Sequence, residues 1–439
     1  MKRILVSNAF LTNVIDCRNV LFLVNYQSYK ALYRGGIYMK YLIILADGAA
    51  DYPIESLGGL TPLQAAKTPN IDNLCAKSCL GLLETVPADM PPGSEVANLS
   101  VMGYDVKEVY QGRGVLEAAS MGIDIKEDEL AMRCNLICIE EGKIKNHSAG
   151  HISTEESHKL IESINERFKD EEFTFHPGVS YRHLFVLPGG SDQIKCTPPH
   201  DVPGTLFEEV MVESKIPSGN ETTTKLNYII RESQKVLSAH PINKKRVSEG
   251  KDPANSVWFW SQGYRPKMQT FAELYNKTGA VISAVDLIFG IGVYAGLKPI
   301  HVTGATGLYD TNYEGKAQAA IEALKENDFV FLHIEASDEA GHEGNAELKT
   351  RTIEYLDSRT VAPIVEALKG LDESVALAIL PDHPTPCALK THVHDAVPVM
   401  IYNPKFKGDG ICSYDEQSVQ KGSLGRMVGT EFIRTFFKV

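Results

Sequence analysis

The fold is indicated most clearly by the stretch FVFLHIEASDEAGH at residues 329–342, in which a run of apolar residues ends in acidic residues and a histidine. Similar apolar runs that end in polar residues recur at residues 41–46, 374–380 and 396–402. Runs of this length and composition are typical of buried parallel strands. Segments with a helical pattern lie between them. We therefore predict an α/β core, with a mostly parallel sheet flanked by helices and with ligands at the carboxyl ends of the strands.

The length of the chain and a change in sequence pattern over residues 110–265 predict two domains. The chain has 439 residues, more than a single hydrophobic core usually supports. Residues 110–265 read as an inserted, smaller α+β domain, and the core would consist of residues 39–109 and 266–439. Residues 1–38 form an extension whose apolar stretch is too short to span a bilayer. We predict that Met39, which directly precedes the first core strand, is the natural start.

The composition argues against some classes of binding partner and indicates the cellular compartment. The 44 basic and 56 acidic residues give a formal charge of −12, which argues against binding to nucleic acid or to an anionic membrane. A small anionic substrate would therefore need a local basic pocket. The eight cysteines are scattered and include no Cys-x-x-Cys pair, so we expect ordinary thiols in a reducing cytoplasm. The sequence leaves the oligomeric state open.

Acidic and histidine residues follow three of the apolar runs. Asp47 comes directly after residues 41–46, and in the opening stretch Asp338 and His342 stand four residues apart. On a helical turn that spacing places a carboxylate and an imidazole on one face, within reach of one cation. The remaining candidates follow residues 374–380, namely Asp382, His383 and either His392 or His394.

Ser94 follows Pro91-Pro92-Gly93 at the predicted start of a helix. Most serines in that setting cap the helix. The same position also suits a nucleophile for phosphoryl transfer, because exposed N–H groups at a helix N-terminus favour bound phosphate. A hydroxyl is a weak nucleophile at neutral pH and would need a metal ion to favour its alkoxide.

Each of these groups alone has an ordinary explanation, since an Asp-Gly after a strand is usually a turn and an isolated Asp-His pair usually lies on the surface. However, such groups follow three strands, and a serine stands where it could bind phosphate. Together these features favour a metal centre. Aspartate and histidine ligands favour two hard or borderline divalent cations over a thiolate zinc site. Two cations about 4 Å apart would clamp the attacking and leaving oxygens of a displacement at phosphorus.

The motifs are DG at 47–48, PGSEVAN at 92–98, DEAGH at 338–342 and DH at 382–383. Together they resemble the alkaline phosphatase superfamily and, within it, the archaeal-type cofactor-independent phosphoglycerate mutases. The resemblance extends from Met39 to the C-terminus and includes GRG at 112–114, SAGHIS at 148–153, YRH at 181–183, PPHD at 198–201, GATG at 304–307 and NYEGK at 312–316. It implies an alkaline-phosphatase-like core and phosphoryl transfer between the 2- and 3-hydroxyls of glycerate through a phosphoserine on Ser94.

The resemblance also implies a set of ligands. One metal would be bound by Asp338, His342 and a C-terminal histidine, which the family's spacing identifies as His392, with His394 in reserve. The other metal would be bound by Asp47, Ser94, Asp382 and His383. Manganese is the expected metal, with zinc, cobalt and magnesium as alternatives. The residues expected to hold a small phosphorylated carboxylate are His151, Arg182 and His183, with Arg113 and Lys316 as weaker candidates.

Two residues depart from the family's pattern. Pro381 stands where the family commonly has glycine, and Glu95 replaces an aspartate after the nucleophile. Both could change the pocket, so other activities stay open on the sequence alone. The rivals are a homoserine-directed phosphotransferase, a phosphomonoester hydrolase on the same core, and a metal-binding scaffold without activity.

Overall fold

The structure is a computed structural model that describes residues 4–7, 12–17, 20–25, 39–371 and 374–438. The predicted start at Met39 concerns residues 1–38, most of which lie outside the described residues, and stays a prediction. In chain order the strands are β1 (Ile4–Ser7), β2 (Thr12–Cys17), β3 (Val20–Asn25), β4 (Met39–Ala46), β5 (Ser78–Glu84), β6 (Glu129–Glu140), β7 (Lys143–Asn146), β8 (Thr174–His176), β9 (Arg182–Pro188), β10 (Ile194–Lys195), β11 (Glu213–Ser214), β12 (Ser256–Gly263), β13 (Gly279–Ser283), β14 (Lys298–His301), β15 (Phe329–Ile334), β16 (Ser374–Leu380), β17 (Val397–Tyr402) and β18 (Gly425–Val428).

The helices lie between these strands. The α-helices are Pro62–Ala65, Pro69–Cys75, Ser94–Val101, Val106–Val109, Arg113–Ser120, Thr154–Arg167, Asn220–Ala239, Pro241–Ser248, Phe271–Tyr275, Asp286–Tyr294, Tyr313–Glu326, Ala336–Glu343, Ala346–Tyr355, Ala362–Leu368 and Gly429–Lys438, and Leu356–Val361 is π-helical. Short 3-10 turns occur at Glu55–Leu57, Phe207–Glu209, Pro217–Gly219 and Ser418–Lys421. Across the described part of the chain, none of these helices is both long and apolar enough to cross a membrane.

The largest sheet has eight strands in the order β14-β13-β15-β4-β16-β17-β5-β18. Only β17 runs against the others, because it is antiparallel to both of its neighbours. Ala46 at the end of β4 pairs with Ile334 at the end of β15, and Leu380 at the end of β16 pairs with Leu45. The three strands therefore end at the same edge. The predicted α/β core with a mostly parallel sheet is confirmed.

Residues of β4 face two hydrophobic cores on opposite sides of this sheet. Odd-numbered residues from Tyr41 to Leu45 pack into one core. Even-numbered residues from Leu42 to Ala46 pack into the other. A strand that is buried on both faces favours apolar residues on both, which is why residues 41–46 form a continuous apolar run. Truncating a residue such as Ile44 to alanine would cost about 2–5 kcal/mol of stability.

A second, antiparallel sheet has the order β12-β6-β9-β8, with β7 also paired to β6. All its strands come from Glu129–Gly263, within the segment predicted to be the insert, although the predicted domain boundaries themselves stay a prediction. Helices Thr154–Arg167 and Asn220–Ala239 cover one face and enclose a third core. On the other face, Ala131 and Leu184 join the first core of the large sheet. This packing holds the second sheet close to the helix that begins at Ser94.

Candidate active site

Three segments that carry candidate ligands leave the same edge of the large sheet. Asp47 follows β4, Asp338 lies in the helix that follows β15, and Asp382-His383 follows β16. All four side chains are buried, with no more than 4% of each residue exposed. Because parallel strands in register end together, residues far apart in sequence meet at one place.

The first group of side chains, here called the Ser94 cluster, consists of Ser94, Asp47, Asp382 and His383. His383 Nε2 lies 3.2 Å from Ser94 Oγ, 3.3 Å from Asp382 Oδ2 and 3.7 Å from Asp47 Oδ1. The helix Ser94–Val101 has Gly93 as its N-cap, and no side chain caps it. The Ser94 hydroxyl therefore faces the cluster and does not cap its own helix.

The second group, here called the His342 cluster, consists of Asp338, His342 and His392. Asp338 Oδ2 lies 3.2 Å from His342 Nε2, and Asp338 Oδ1 lies 3.4 Å from His392 Nε2. His394 lies outside the cluster, with Nε2 2.8 Å from the Met90 carbonyl oxygen. The structure thus brings His392, and not His394, to the other candidate ligands.

The two histidines of this cluster face each other in an unusual way. His342 Nδ1 lies 3.0 Å from the Lys390 carbonyl oxygen, and His392 Nδ1 lies 3.4 Å from that of Pro92. A ring nitrogen beside a carbonyl oxygen must carry the proton, so in neutral rings both Nε2 atoms are lone-pair atoms. These Nε2 atoms are 2.9 Å apart. Two lone pairs at that distance repel each other, and the contact is relieved either by a proton on His342 Nε2, which the raised pKa of His342 favours, or by a metal cation between or beside the two atoms.

Asp47 of the Ser94 cluster and Asp338 of the His342 cluster are buried, and the pKa of each carboxyl group is shifted. Burial, reinforced by the carboxylates of Asp382 and Asp338, raises the pKa of Asp47 well above its usual range. Burial acts in the same direction on Asp338, but hydrogen bonds from His342 and His392 hold the pKa of Asp338 well below its usual range. Asp47 Oδ1 is buried and has no hydrogen-bond partner. Such an atom is costly to leave unpaired unless it binds a cation.

Gly48 makes room for this arrangement. Its φ of +60° is in the left-handed region, and a Cβ built there would lie 2.6 Å from Asp338 Cα and collide with the Asp338 carboxylate. Glycine is the residue that adopts this conformation without strain and leaves the space free. The Asp-Gly pair is therefore both a turn and the contact through which Asp47 and Asp338 approach each other.

The donor set fits divalent cations. Asp47, Asp382 and His383 have ligand atoms within 4.8 Å of one another, as do Asp338, His383 and His392. Carboxylate oxygens and imidazole nitrogens suit manganese, zinc or magnesium according to geometry. A cation would pair the orphaned Asp47 Oδ1 and would relieve the contact between the two Nε2 atoms. The residues present therefore fit a metal centre.

Several neighbours that hold these ligands were not identified from the sequence. Asn98 Nδ2 donates to Asp382 Oδ2 at 3.0 Å and to the Ser94 carbonyl oxygen at 2.8 Å. His333 Nε2 lies 2.9 Å from Asp47 Oδ2. The available signal was position, because Asn98 is one helical turn after Ser94 and His333 is a polar residue in the buried strand β15.

Next to the Ser94 cluster lies a cavity of about 700 Å³, here called the arginine cavity. Its lining includes Glu95, Arg113, Arg133, Arg182 and Trp260. Arg113 Nη2 donates to Glu95 Oε2 at 2.7 Å, and the Arg133 guanidinium lies 4.1 Å from the Trp260 ring centre. Glu95 is buried, yet Arg113 lowers the pKa of its carboxyl. Because Glu95 directly follows Ser94, the cavity and the serine share one helix.

The three arginines of this cavity differ in whether a carboxylate pairs with them. Arg113 pairs with Glu95, and Arg133 Nε lies 3.1 Å from Glu117 Oε2. Within the described residues, Arg182 has no carboxylate within 4 Å. The cavity therefore has a net positive lining, and Arg182 is the guanidinium that an anion could engage without displacing an existing partner.

The predicted substrate residues fall in different places. Arg113 and Arg182 line the arginine cavity, whereas the exposed His151 lies outside this lining, with its ring 6.3 Å from that of Tyr181, which does line the cavity. His183 is buried in β9, where Nδ1 accepts from the Gly178 N–H at 3.0 Å and burial lowers the pKa to about 3. The structure does not bring His183 to the cavity.

Lys316 lies behind the strand ends and not in the cavity. It is fully buried, Nζ donates to the His333 carbonyl oxygen at 3.2 Å, and burial lowers its pKa to about 8. In the cavity itself, Arg133 and Trp260 were not identified as candidates. The one charged residue within the largely apolar segment 130–139 was the signal for Arg133.

Comparison with known proteins decides the family. A sequence model of the 2,3-bisphosphoglycerate-independent phosphoglycerate mutases matches residues 75–243. A Methanosarcina acetivorans protein of that name is 51% identical over 405 residues, which cover 91% of this chain and 100% of the relative. The chain belongs to the 2,3-bisphosphoglycerate-independent phosphoglycerate mutase family. The expectation of an enzyme of this family is confirmed.

Further relatives and solved structures match over nearly the whole chain. A Geobacter sulfurreducens protein named as a probable mutase of this kind is 47% identical over 391 residues, covering 88% of this chain and 96% of its own. A solved structure from Pyrococcus horikoshii has a TM-score of 0.77 and 32% identity, covering 92% of this chain and 97% of that one. The cofactor-independent phosphoglycerate mutase of Thermoplasma acidophilum has a TM-score of 0.66 and 27% identity, covering 91% and 99%.

Proposed function

We propose that this chain interconverts 3-phosphoglycerate and 2-phosphoglycerate through a phosphoserine on Ser94, with the help of two divalent cations. The observation that carries the proposal is the position of the Ser94 hydroxyl, which faces His383 and two buried carboxylates instead of capping its helix. Membership in the mutase family supports the substrate. The positive lining of the arginine cavity supports an anionic one.

The Ser94 cluster would hold one cation and the His342 cluster the other. Bound cations would favour the alkoxide of Ser94 and offset the negative charge that develops on the phosphoryl oxygens. Manganese is the metal we expect, with zinc, cobalt and magnesium as alternatives. Asn98 would keep Asp382 in place through its hydrogen bond, and His333 would do the same for Asp47.

Ser94 is the residue that carries the phosphoryl group. Its hydroxyl gives up its proton as Oγ forms a bond to phosphorus, the bond from phosphorus to the 3-oxygen of glycerate breaks, and that oxygen takes up one proton, so that the step has no net change in protons; in the return step the 2-hydroxyl gives up a proton and Ser94 Oγ regains one. The glycerate then turns so that its 2-hydroxyl attacks the phosphoserine and releases Ser94. In both half-reactions the helix N-terminus contributes N–H groups that favour phosphate.

The arginine cavity would hold glycerate while it turns. Arg182 would engage the carboxylate or the phosphate with its two-pronged guanidinium, and Arg113 would be kept in position by Glu95. His151 would contact the substrate from outside the cavity lining. Residues 110–265 would enclose the site and keep out water, which would otherwise take the phosphoryl group.

The cavity also bears on the competing activities. An acceptor with an ammonium group, such as homoserine, needs an acidic partner. Glu95 lines the cavity and is already paired with Arg113, while Glu117 is paired with Arg133. The lining therefore favours glycerate over homoserine. Each of the seven cysteines among the residues with described side chains is unpaired, which suits a reducing cytoplasm as the compartment.

The direct test is an assay of the purified full chain with 3-phosphoglycerate and Mn²⁺, in which enolase detects 2-phosphoglycerate. We expect turnover with little release of inorganic phosphate. Phosphate release without 2-phosphoglycerate would favour a hydrolase. Phosphorylated homoserine, formed when homoserine and ATP are supplied, would favour the phosphotransferase. Absence of 2-phosphoglycerate with every divalent metal tried would overturn the proposal.

A further inference from the structure

Thr385 lies between the two clusters and has no role in the mechanism above. It follows His383 by two residues and is fully buried. Its hydroxyl donates to Asp338 Oδ1, and the same oxygen lies 3.3 Å from His383 Nδ1. One side chain thus touches a candidate ligand of each cluster.

The number of hydrogens decides the direction of these bonds. A threonine hydroxyl has one hydrogen to donate and lone pairs to accept with, whereas a carboxylate ligand can only accept. The hydroxyl hydrogen therefore points to Asp338, and Thr385 Oγ1 must accept from His383 Nδ1–H. A neutral imidazole has only one N–H, so His383 Nε2 is left with its lone pair. That is the nitrogen facing Ser94, Asp47 and Asp382.

The surroundings hold Thr385 in this position from both sides. Its N–H donates to the Ala50 carbonyl oxygen at 3.3 Å, and its own carbonyl oxygen accepts from Lys349 Nζ at 2.8 Å. Lys349 is fully buried and also pairs with Asp51 at 2.9 Å. The loops that follow β4 and β16 are therefore tied together behind the clusters. A hydroxyl fixed in this way can orient other groups without moving itself.

We propose that Thr385 is a positioning residue that presents the bare Nε2 of His383 to one metal while orienting the Asp338 carboxylate toward the other. The proposal rests on the proposed metal dependence. Partners of this kind fix the tautomer and ring orientation of a ligating histidine and contribute substantially to metal affinity. Because one hydroxyl serves both clusters, its loss weakens both sites together.

The test compares Thr385→Val, which keeps the shape and removes the hydroxyl, with Thr385→Ser, which keeps the hydroxyl and removes the methyl group. Mn²⁺ binding to the metal-stripped full chain is measured by calorimetry for each variant and for the parent. We expect the valine variant to bind Mn²⁺ roughly 10- to 100-fold more weakly than the parent and the serine variant to bind nearly as tightly. Unfolding temperatures of the metal-free proteins show whether the valine variant is folded.

Three results would overturn the proposal. Unchanged Mn²⁺ affinity in the valine variant would remove the role of the hydroxyl, and equal weakening in both variants would show that metal affinity does not depend on the hydroxyl but on the packing of the whole side chain. A parent that binds no divalent cation would instead overturn the proposed metal dependence itself. Nitrogen-15 NMR of histidine in the metal-free parent needs no variant: we expect the His383 proton on Nδ1, and a proton on Nε2 alone would contradict the proposal.

Discussion

The edge of the large sheet and the arginine cavity are adjacent, but their excess charges have opposite signs. The edge gathers the buried Asp47, Asp338 and Asp382, and among the residues that the structure describes no lysine or arginine forms an ion pair with any of them. The cavity gathers three arginines, of which two have carboxylate partners. The two regions meet at Ser94 and Glu95, consecutive residues of one helix. The edge has an excess of negative charge and the cavity an excess of positive charge.

This difference indicates what each region binds. Buried charges of one sign are costly unless a partner of the other sign accompanies them. The edge would be completed by divalent cations and the cavity by an anionic substrate. A phosphorylated carboxylate with its phosphoryl group at Ser94 would contact both regions at once. Variants at Ser94, at the edge and in the cavity separate the contributions of the two regions.

Ser94→Ala tests the point at which the two regions meet. Removing the hydroxyl removes the proposed phosphoryl carrier, so we expect kcat to fall on the order of 10³-fold or more, with the fold retained. The enolase-coupled assay and the unfolding temperature are the measurements. Ser56→Ala, on an exposed turn, is the control and should leave kcat unchanged. Substantial turnover by Ser94→Ala would exclude a phosphoserine on this residue.

Gly48→Ala tests the packing of the edge. The added Cβ would collide with the Asp338 carboxylate, so we expect loss of Mn²⁺ binding and of activity. Gly58→Ala is a matched control, because Gly58 also has positive φ, +72°, but no atom lies within 4 Å of an added Cβ. Both variants should lose about 1 kcal/mol from backbone strain, whereas only the first should lose the metal. Equal metal affinity in the two variants would contradict this account.

Arg182→Ala tests the cavity without touching the edge. The loss of a charge-assisted hydrogen bond to substrate should lower kcat/KM roughly 10- to 100-fold while Mn²⁺ affinity stays the same. Arg231→Ala, which breaks an exposed pair with Glu208, is the control and should have little effect. If Arg182→Ala weakened Mn²⁺ binding as strongly as it weakened turnover, the two regions would not be separable.

The pH dependence of the metal-free protein tests the edge alone. The hydrogen bond with Asp338 raises the pKa of His342 to about 9 from 6.5. A raised histidine pKa contributes stability that is complete below pH 6.5 and is lost as pH rises through 9. The raised pKa of Asp47 acts in the same direction, because the folded state holds more protons than the unfolded state.

We therefore expect the metal-free protein to lose stability between pH 6.5 and 9, and saturating Mn²⁺ to abolish most of this loss. Urea unfolding at several pH values, with and without metal, measures the effect. His342→Gln should flatten the profile of the metal-free protein. Metal-free stability that rises over this range would contradict the assignment of charges at the edge.

The edge was more accessible to sequence reasoning than the cavity. Its candidate ligands directly follow buried parallel strands, and such strands end together, so local motifs predict which residues meet. His392 and His394 could be distinguished only by a family spacing, and the structure brings His392 to Asp338. Thr385 was not predicted from the sequence, because its role depends on the contacts of its hydroxyl with Asp338 and His383, which the sequence does not specify.

The cavity depends on contacts that no local pattern reveals. Arg133 and Trp260 come from β6 and β12, paired strands whose register is set by tertiary packing. His183 and Lys316 belong to the motifs YRH at 181–183 and NYEGK at 312–316, yet both are buried away from the cavity. Which face of a strand or helix is enclosed follows from the packing of the second sheet on the first, and a single sequence does not specify that packing.

Rapid-quench mass spectrometry of the parent enzyme tests the phosphoserine on Ser94 most directly. The Mn²⁺-loaded protein is mixed with 3-phosphoglycerate, quenched in acid within a turnover and digested. We expect one phosphoryl group on the peptide that contains Ser94, and none on the same peptide from Ser94→Ala. Turnover accompanied by a phosphoryl group on another residue, or by no phosphorylated peptide at any quench time, would contradict the account.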